Sequence, residues 1–94
     1  MRYLITYDIE EDDVRGRISK ILVQFGTRVQ KSVFECDLNE KDLDDLTAKL
    51  KKALSSVEAG NIRIYRICGA CLKASFGMGD LELPKDDGPC IIVD

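Results

Sequence analysis

The apolar periodicity of this chain switches between about 2 and about 3.6 residues in a fixed succession, and that succession limits the available folds more than any single motif does. Arg2-Tyr-Leu-Ile-Thr-Tyr-Asp8 is rich in β-branched and aromatic residues and short enough for a strand. Alternation sets Tyr3, Ile5 and Tyr7 on one side and Leu4, Thr6 and Asp8 on the other, so neither side is plainly polar. A strand of this kind is expected to be covered on both faces. Val14, Ile18, Ile21, Leu22 and Phe25 then recur at helical spacing, with Asp12 or Asp13 as N-cap and Gly26 as the C-terminal stop. Thr27 to Gln30 and Ser32 to Leu38 follow as two β-like stretches anchored by Val29, Val33 and Phe34, and pair as a hairpin without an Asn-Gly or Asp-Gly turn. Asn39 caps a second helix whose stripe is Leu43, Leu46, Leu50 and Leu54, with Asp42 in the capping-box position and an end near Ser55 to Gly60. Asn61 to Cys68 is another strand, with Ile62 and Ile64 on one face and Tyr65 and Ile67 on the other.

The order is β-α-β-β-α-β, which predicts an α+β, ferredoxin-like fold: an antiparallel sheet with two helices on one face. With 94 residues the chain is expected to form a single domain over residues 1–94. A chain of this size leaves much surface exposed, so an oligomer is an economical source of further burial. Gly69 to Asp94 carries four of the seven glycines and both prolines. Phe76-Gly-Met-Gly79 lacks the strand-to-helix context of a phosphate loop and is taken as a connection. Ile91 to Val93 resembles a short C-terminal strand. Because the helices cover one sheet face, this tail or a second copy of the chain is expected to cover the other, which makes residues 69–94 a candidate dimerisation tail. No apolar run approaches the ~20 residues that span a bilayer, and no signal-peptide pattern opens the chain, so a cytoplasmic protein without membrane contact is expected.

The net charge of −3 disguises an uneven distribution. Val14 to Phe34 contains no acidic residue, whereas Arg15, Arg17, Lys20, Arg28 and Lys31 lie within it. Such a block is ordinarily a solvated surface, and otherwise a phosphate-binding one. On a helical wheel Arg15 and Arg17 flank the apolar stripe on opposite sides and can snorkel from its edges. Gly16 faces away from the stripe, where a helix-interior glycine costs ~1 kcal/mol relative to alanine.

Few residues can carry covalent or metal chemistry. The absence of histidine removes Ser-His-Asp and Cys-His nucleophile systems. Cys68-Gly-Ala-Cys71 has metal or redox spacing, and Cys36 and Cys90 complete a possible four-thiolate zinc set; without a second C-x-x-C, four reduced and mostly buried thiols are the simpler reading. Asp8 stands at the carboxyl end of the first strand, ahead of the acidic run Glu10 to Asp13. An aspartate there is ordinarily a cap or turn residue.

Tyr7-Asp8-Ile9 with Asp12-Asp13, then Arg15 and Arg17, then Gly26-Thr-Arg-Val-Gln-Lys-Ser-Val-Phe-Glu35, resemble the small CRISPR-associated Cas-two family of spacer-adaptation proteins. The likeness is close over the first forty residues, and the later helix and strand agree in order and length. It implies a ferredoxin-like homodimer in which two equivalent Asp8 carboxylates face each other and hold Mg²⁺ or Mn²⁺. It assigns Asp8, with Tyr7 beside it, to metal-dependent phosphodiester cleavage in RNA or DNA. It places nucleic-acid contacts on Arg15, Arg17, Arg28 and Phe34, to which the charge pattern adds Lys31. It further implies a central dimer that bridges integrase subunits while new CRISPR spacers are captured.

Physical chemistry is compatible with that set. One carboxylate per chain is too few for a magnesium nuclease, but two-fold symmetry supplies a second. DNA bridging with an integrase partner is the leading expectation, metal-dependent endonuclease action the alternative, and a ferredoxin-like regulator binding a small ligand the third.

Overall fold

The computed structural model describes residues 1–57 and 59–78, together with the backbone of 91–92. Its elements are β1 (Arg2–Asp8), α1 (Asp12–Val23), β2 (Gly26–Gln30), β3 (Val33–Asp37), α2 (Glu40–Leu54), β4 (Asn61–Ile67), α3 (Gly69–Ala74), β5 (Phe76–Gly77) and β6 (Ile91–Ile92). The main sheet has the order β2-β3-β1-β4 with every neighbouring pair antiparallel. That is the ferredoxin-like arrangement the element order predicts, with β1 in the interior of the sheet.

Register decides which residues share a face. Tyr3 pairs with Cys36 and Ile5 with Phe34 across β3, while Ile5 pairs with Ile64 and Tyr7 with Ile62 across β4. Directly opposed residues project to the same side, so these form one apolar surface. Onto it pack Val14, Ile18 and Leu22 from α1 and Leu46, Leu50 and Ala53 from α2, with Ile21, Phe25, Leu43, Leu54 and Ile62 at its margin. The i, i+4 spacing in each helix supplies the stripe, and Asn39 begins α2 by accepting the Asp42 N–H at 2.8 Å. The opposite sheet face carries Leu4, Glu35 and Tyr65 side by side, then Thr6, Val33 and Arg63. Leu4, Thr6 and Val33 are half-buried and Tyr65 is 48% exposed. Arg2, on this same side, is buried and pairs with Glu35 at 3.4 Å.

Several local expectations are corrected. Neither Asp12 nor Asp13 caps α1; Glu11 is the N-cap, without a side-chain hydrogen bond, and the two aspartates occupy the first turn, where the helix dipole favours them. Gly26 does not stop α1, which ends at Val23 with Gln24 as C-cap. It opens β2 opposite Cys36, and a Cβ there would lie 2.3 Å from the Glu35 carbonyl oxygen and 2.4 Å from Cys36 Sγ. Close strand approach, rather than helix termination, requires that glycine. The six-residue α3 falls where the sequence reading assigned no element, and Phe76–Gly77, expected as a connection, pairs in parallel with Ile91–Ile92 as a separate two-stranded sheet. The expected strand at Ile91 therefore forms, but away from the edges of the main sheet; Val93, Gly79 and Cys90 lie outside the described residues. Among the described residues no helix is long and apolar enough to cross a membrane.

Candidate nucleic-acid interface

One rim of the sheet gathers the carboxyl end of β1, the β2–β3 turn and the amino end of β4. Asp8 is the last residue of β1, opposite Asn61, with its side chain exposed. The turn before Asn61 is shaped around it: Gly60 has φ +126°, and a Cβ there would stand 3.2 Å from the Asp8 carbonyl oxygen. Sequence reasoning missed Gly60 as part of this site; its one signal is a glycine directly preceding a strand. Tyr7 projects to the other side of the sheet. It is buried, its ring lies 6.3 Å from that of Phe34, its amide donates to the Ser32 carbonyl at 3.1 Å, and its hydroxyl donates to the Lys31 carbonyl at 3.3 Å. Tyr7 thus pins the β2–β3 turn to β1 and leaves the Lys31 side chain exposed next to that rim.

The basic residues divide by the sides of α1. Arg15 turns back over the β1–α1 loop, donating to the carbonyls of Ile9 at 3.0 Å and Glu10 at 3.2 Å and pairing with Asp12. It latches the loop that follows Asp8. Ser19, one turn along from Arg15, bonds the guanidinium of Arg28 from β2, which also lies 5.4 Å from the centre of the Phe34 ring. Phe34 was expected on the nucleic-acid surface; its register opposite Ile5 instead buries it completely, so it reaches that surface only as the platform beneath Arg28. Arg17 and Lys20, three residues apart, are neighbours on the other side of the helix, both exposed and free of ion pairs among the described residues. Gly16 between these sides is exposed, and a Cβ there would meet nothing within 4 Å.

The acidic and thiol groups do not gather into a metal cluster within one chain: among the described residues no three potential ligands come together. Among those residues Asp8 accepts no hydrogen bond at its carboxylate. Cys36 is wholly buried, and burial pushes its thiol up from 9.0 to about 11, the nearby Arg2 charge opposing and Glu35 reinforcing the shift. Cys68 and Cys71 are exposed at the β4–α3 junction, so the three described cysteines do not assemble a thiolate zinc site.

A family profile described as CRISPR associated protein Cas2 matches residues 1–74. The chain is 39% identical over 93 residues to CRISPR-associated endoribonuclease Cas2 1 of Chloroflexus aurantiacus, spanning 99% of this chain and 100% of that one. Among solved structures it is similar to the hypothetical protein TT1823 from Thermus thermophilus, with a TM-score of 0.71 and 35% identity over 89% of this chain and 96% of that chain. It also resembles a chain of a partial Cas6-RT-Cas1–Cas2 complex, with a TM-score of 0.70 and 35% identity over 79% of this chain and 86% of the other. Likeness of this extent in both sequence and fold shows that the chain belongs to the Cas2 family of CRISPR-associated proteins.

Proposed function

We propose that the protein acts as a homodimer that binds nucleic acid during CRISPR spacer acquisition together with an integrase partner. The observation that carries this reading is the acid-free run from Val14 to Phe34, in which Arg28 is held over Phe34 while Arg17, Lys20 and Lys31 remain exposed. Guanidinium and ammonium groups so placed contact phosphate oxygens and orient a backbone without reading its bases. The open sheet face with Leu4, Val33 and Tyr65 supports the dimer, since a second sheet laid on it removes that apolar surface from water. Residues 69–94 extend the dimer contact in this reading. Two copies present the basic surface twice, which suits a bridging role between integrase subunits. The partial complex that contains Cas1 and Cas2 favours such a partner.

Metal-dependent phosphodiester cleavage is the second reading, favoured by the exposed Asp8 carboxylate and by the endoribonuclease name of the Chloroflexus aurantiacus relative. Asp8 from each chain would hold Mg²⁺ or Mn²⁺, which would supply an activated water and offset charge on the scissile phosphate. The chain's own contribution is positional. Tyr7 anchors the β2–β3 turn beside Asp8, Arg15 holds the following loop, Gly60 admits the β1 end, and Lys31 and Arg28 orient the phosphate backbone.

The deciding experiment measures cleavage of RNA and duplex DNA, with Mg²⁺ and with Mn²⁺, by wild type and Asp8→Asn, alongside duplex binding at several salt concentrations. Salt-sensitive binding by both proteins without cleavage is the outcome expected of a bridging dimer. Cleavage lost in Asp8→Asn establishes the nuclease, and absence of DNA retention even at low salt overturns both in favour of a small-ligand protein.

A further inference from the structure

Cys68 and Cys71 are not used by any of the chemistry above, and their placement differs from that of Cys36 in every respect that governs thiol reactivity. β4 ends at Ile67, and Cys68 follows in an extended conformation, φ −69° and ψ 161°, as the N-cap of α3. The turn that begins α3 brings the chain back over Cys68, whose Sγ accepts the Cys71 N–H at 3.4 Å. Both side chains are exposed, and the residues between them are Gly69 and Ala70; a Cβ on Gly69 would itself meet nothing within 4 Å. The paired sulfurs are therefore open to an incoming reagent.

We propose that Cys68 and Cys71 form a thiol–disulfide couple, a modification site that reacts with small disulfides of the glutathione type and closes to an intramolecular disulfide. The proposal rests on neither the nucleic-acid nor the metal reading, and it requires that the dimer contact proposed for residues 69–94 leave the Cys68 and Cys71 sulfurs open. The Cys71 N–H and thiol both stabilise a thiolate at Cys68 and lower its pKa, whereas Cys71 is raised by sharing its proton with that sulfur. Cys68 is accordingly the attacking thiolate and Cys71 the resolving thiol. The Cys68 thiolate attacks one sulfur of oxidised glutathione, forming a mixed disulfide and expelling one glutathione thiolate. Cys71 then loses its proton and attacks the Cys68 sulfur, forming the Cys68–Cys71 bond and expelling the second glutathione. Two protons and two electrons pass from the protein to the oxidant, which is reduced to two thiols. Cys36, buried and with its thiol pushed to about 11, serves as an internal unreactive control.

The test incubates the full-length protein with oxidised glutathione at neutral pH, alkylates the remaining thiols and maps tryptic peptides. The peptide 67–73 holds both Cys68 and Cys71, whereas Cys36 and Cys90 fall in others. Expected is a 67–73 peptide two hydrogens lighter, refractory to alkylation and free of glutathione. Cys71→Ser should accumulate glutathione on Cys68, and Cys68→Ser should react about tenfold more slowly at Cys71. A wild-type peptide 67–73 that stays fully alkylatable, that retains glutathione without closing, or that is crosslinked to Cys90 overturns the proposal, as does equal reactivity of the two single variants. Both substitutions sit on the surface, and iodoacetamide labelling of the unoxidised wild type supplies a readout without any variant: Cys68 should label at least about tenfold faster than Cys36.

Discussion

Asp8 and Tyr7 are adjacent in the chain, yet the strand sends one to the exposed rim and the other into the core, so substitutions at the two report on different properties. In the proposed dimer two Asp8 carboxylates repel one another, and a divalent cation converts that repulsion into attraction. Asp8→Asn keeps the side-chain size, so the metal-free variant should unfold at a higher temperature than metal-free wild type. Millimolar Mg²⁺ or Mn²⁺ should raise the wild-type midpoint and leave the variant's almost unmoved; equal responses would remove Asp8 from the site. Glycines give a second contrast. Gly16→Ala fills open space on an exposed helix face and should stabilise by up to about 1 kcal/mol, while Gly26→Ala meets the Glu35 carbonyl and Cys36 and should destabilise by about 1–3 kcal/mol in urea unfolding. Cys36 makes a pH prediction. Its folded pKa is raised to about 11 from 9.0, so the protonated thiol's contribution is intact below pH 9 and is lost as the pH rises toward 11. The loss is on the order of 3 kcal/mol. Denaturant midpoints should fall over that window in wild type, and Cys36→Ala should show a shallower fall whatever its stability at neutral pH.

At the scale of elements, α1 does two jobs on two sides. Arg15 bonds the backbone carbonyls of Ile9 and Glu10, and the pair Arg17 and Lys20 reaches solvent. Arg15→Ala should therefore lower stability by about 1–2 kcal/mol in thermal or chemical unfolding. Arg17→Ala with Lys20→Ala should leave stability nearly unchanged and reduce the slope of log affinity against log salt by about 2 for duplex DNA, with little dependence on base sequence. Unchanged salt slopes in that double variant would confine phosphate contacts to Arg28 and Lys31. The β2–β3 hairpin is a unit of a different kind. It has a register shift between Arg28 and Gln30, and its turn is held from outside by Tyr7 rather than by a tight two-residue turn sequence.

For the whole molecule, the unequal covering of the two sheet faces is the dominant fact. One face buries Ile5, Phe34 and Cys36 completely under two helices, whereas the other leaves Tyr65 about half exposed and Leu4 and Val33 half-buried. Tyr65→Arg places a charge within the proposed sheet-to-sheet contact and should shift sedimentation at micromolar concentration from dimer toward monomer. Truncation after Cys71 should weaken the dimer in the same measurement. A wild-type monomer under those conditions would remove the two-fold Asp8 site along with the dimer.

Local rules carried most of the fold. The period of the apolar residues set the element order, the Asn39 cap and the helical stripes, because each depends on residues within one or two turns of one another. The same rules failed at Gly26, whose necessity comes from Cys36 ten positions away on a paired strand, and at Gly60, whose conformation matters through Asp8 on another strand. The composition of the site was likewise legible as an acid-free run and a strand-end aspartate, and its resemblance to the Cas2 family lay in those same residues. Its division was not. Periodicity alone does not tell whether an arginine beside a helical stripe reaches a ligand or a carbonyl, and the answer came from where the β1–α1 loop passes Arg15. Phe34 and Tyr7 belong to the core because strand register turns them under the helices, and register is a relation between segments that no single segment encodes.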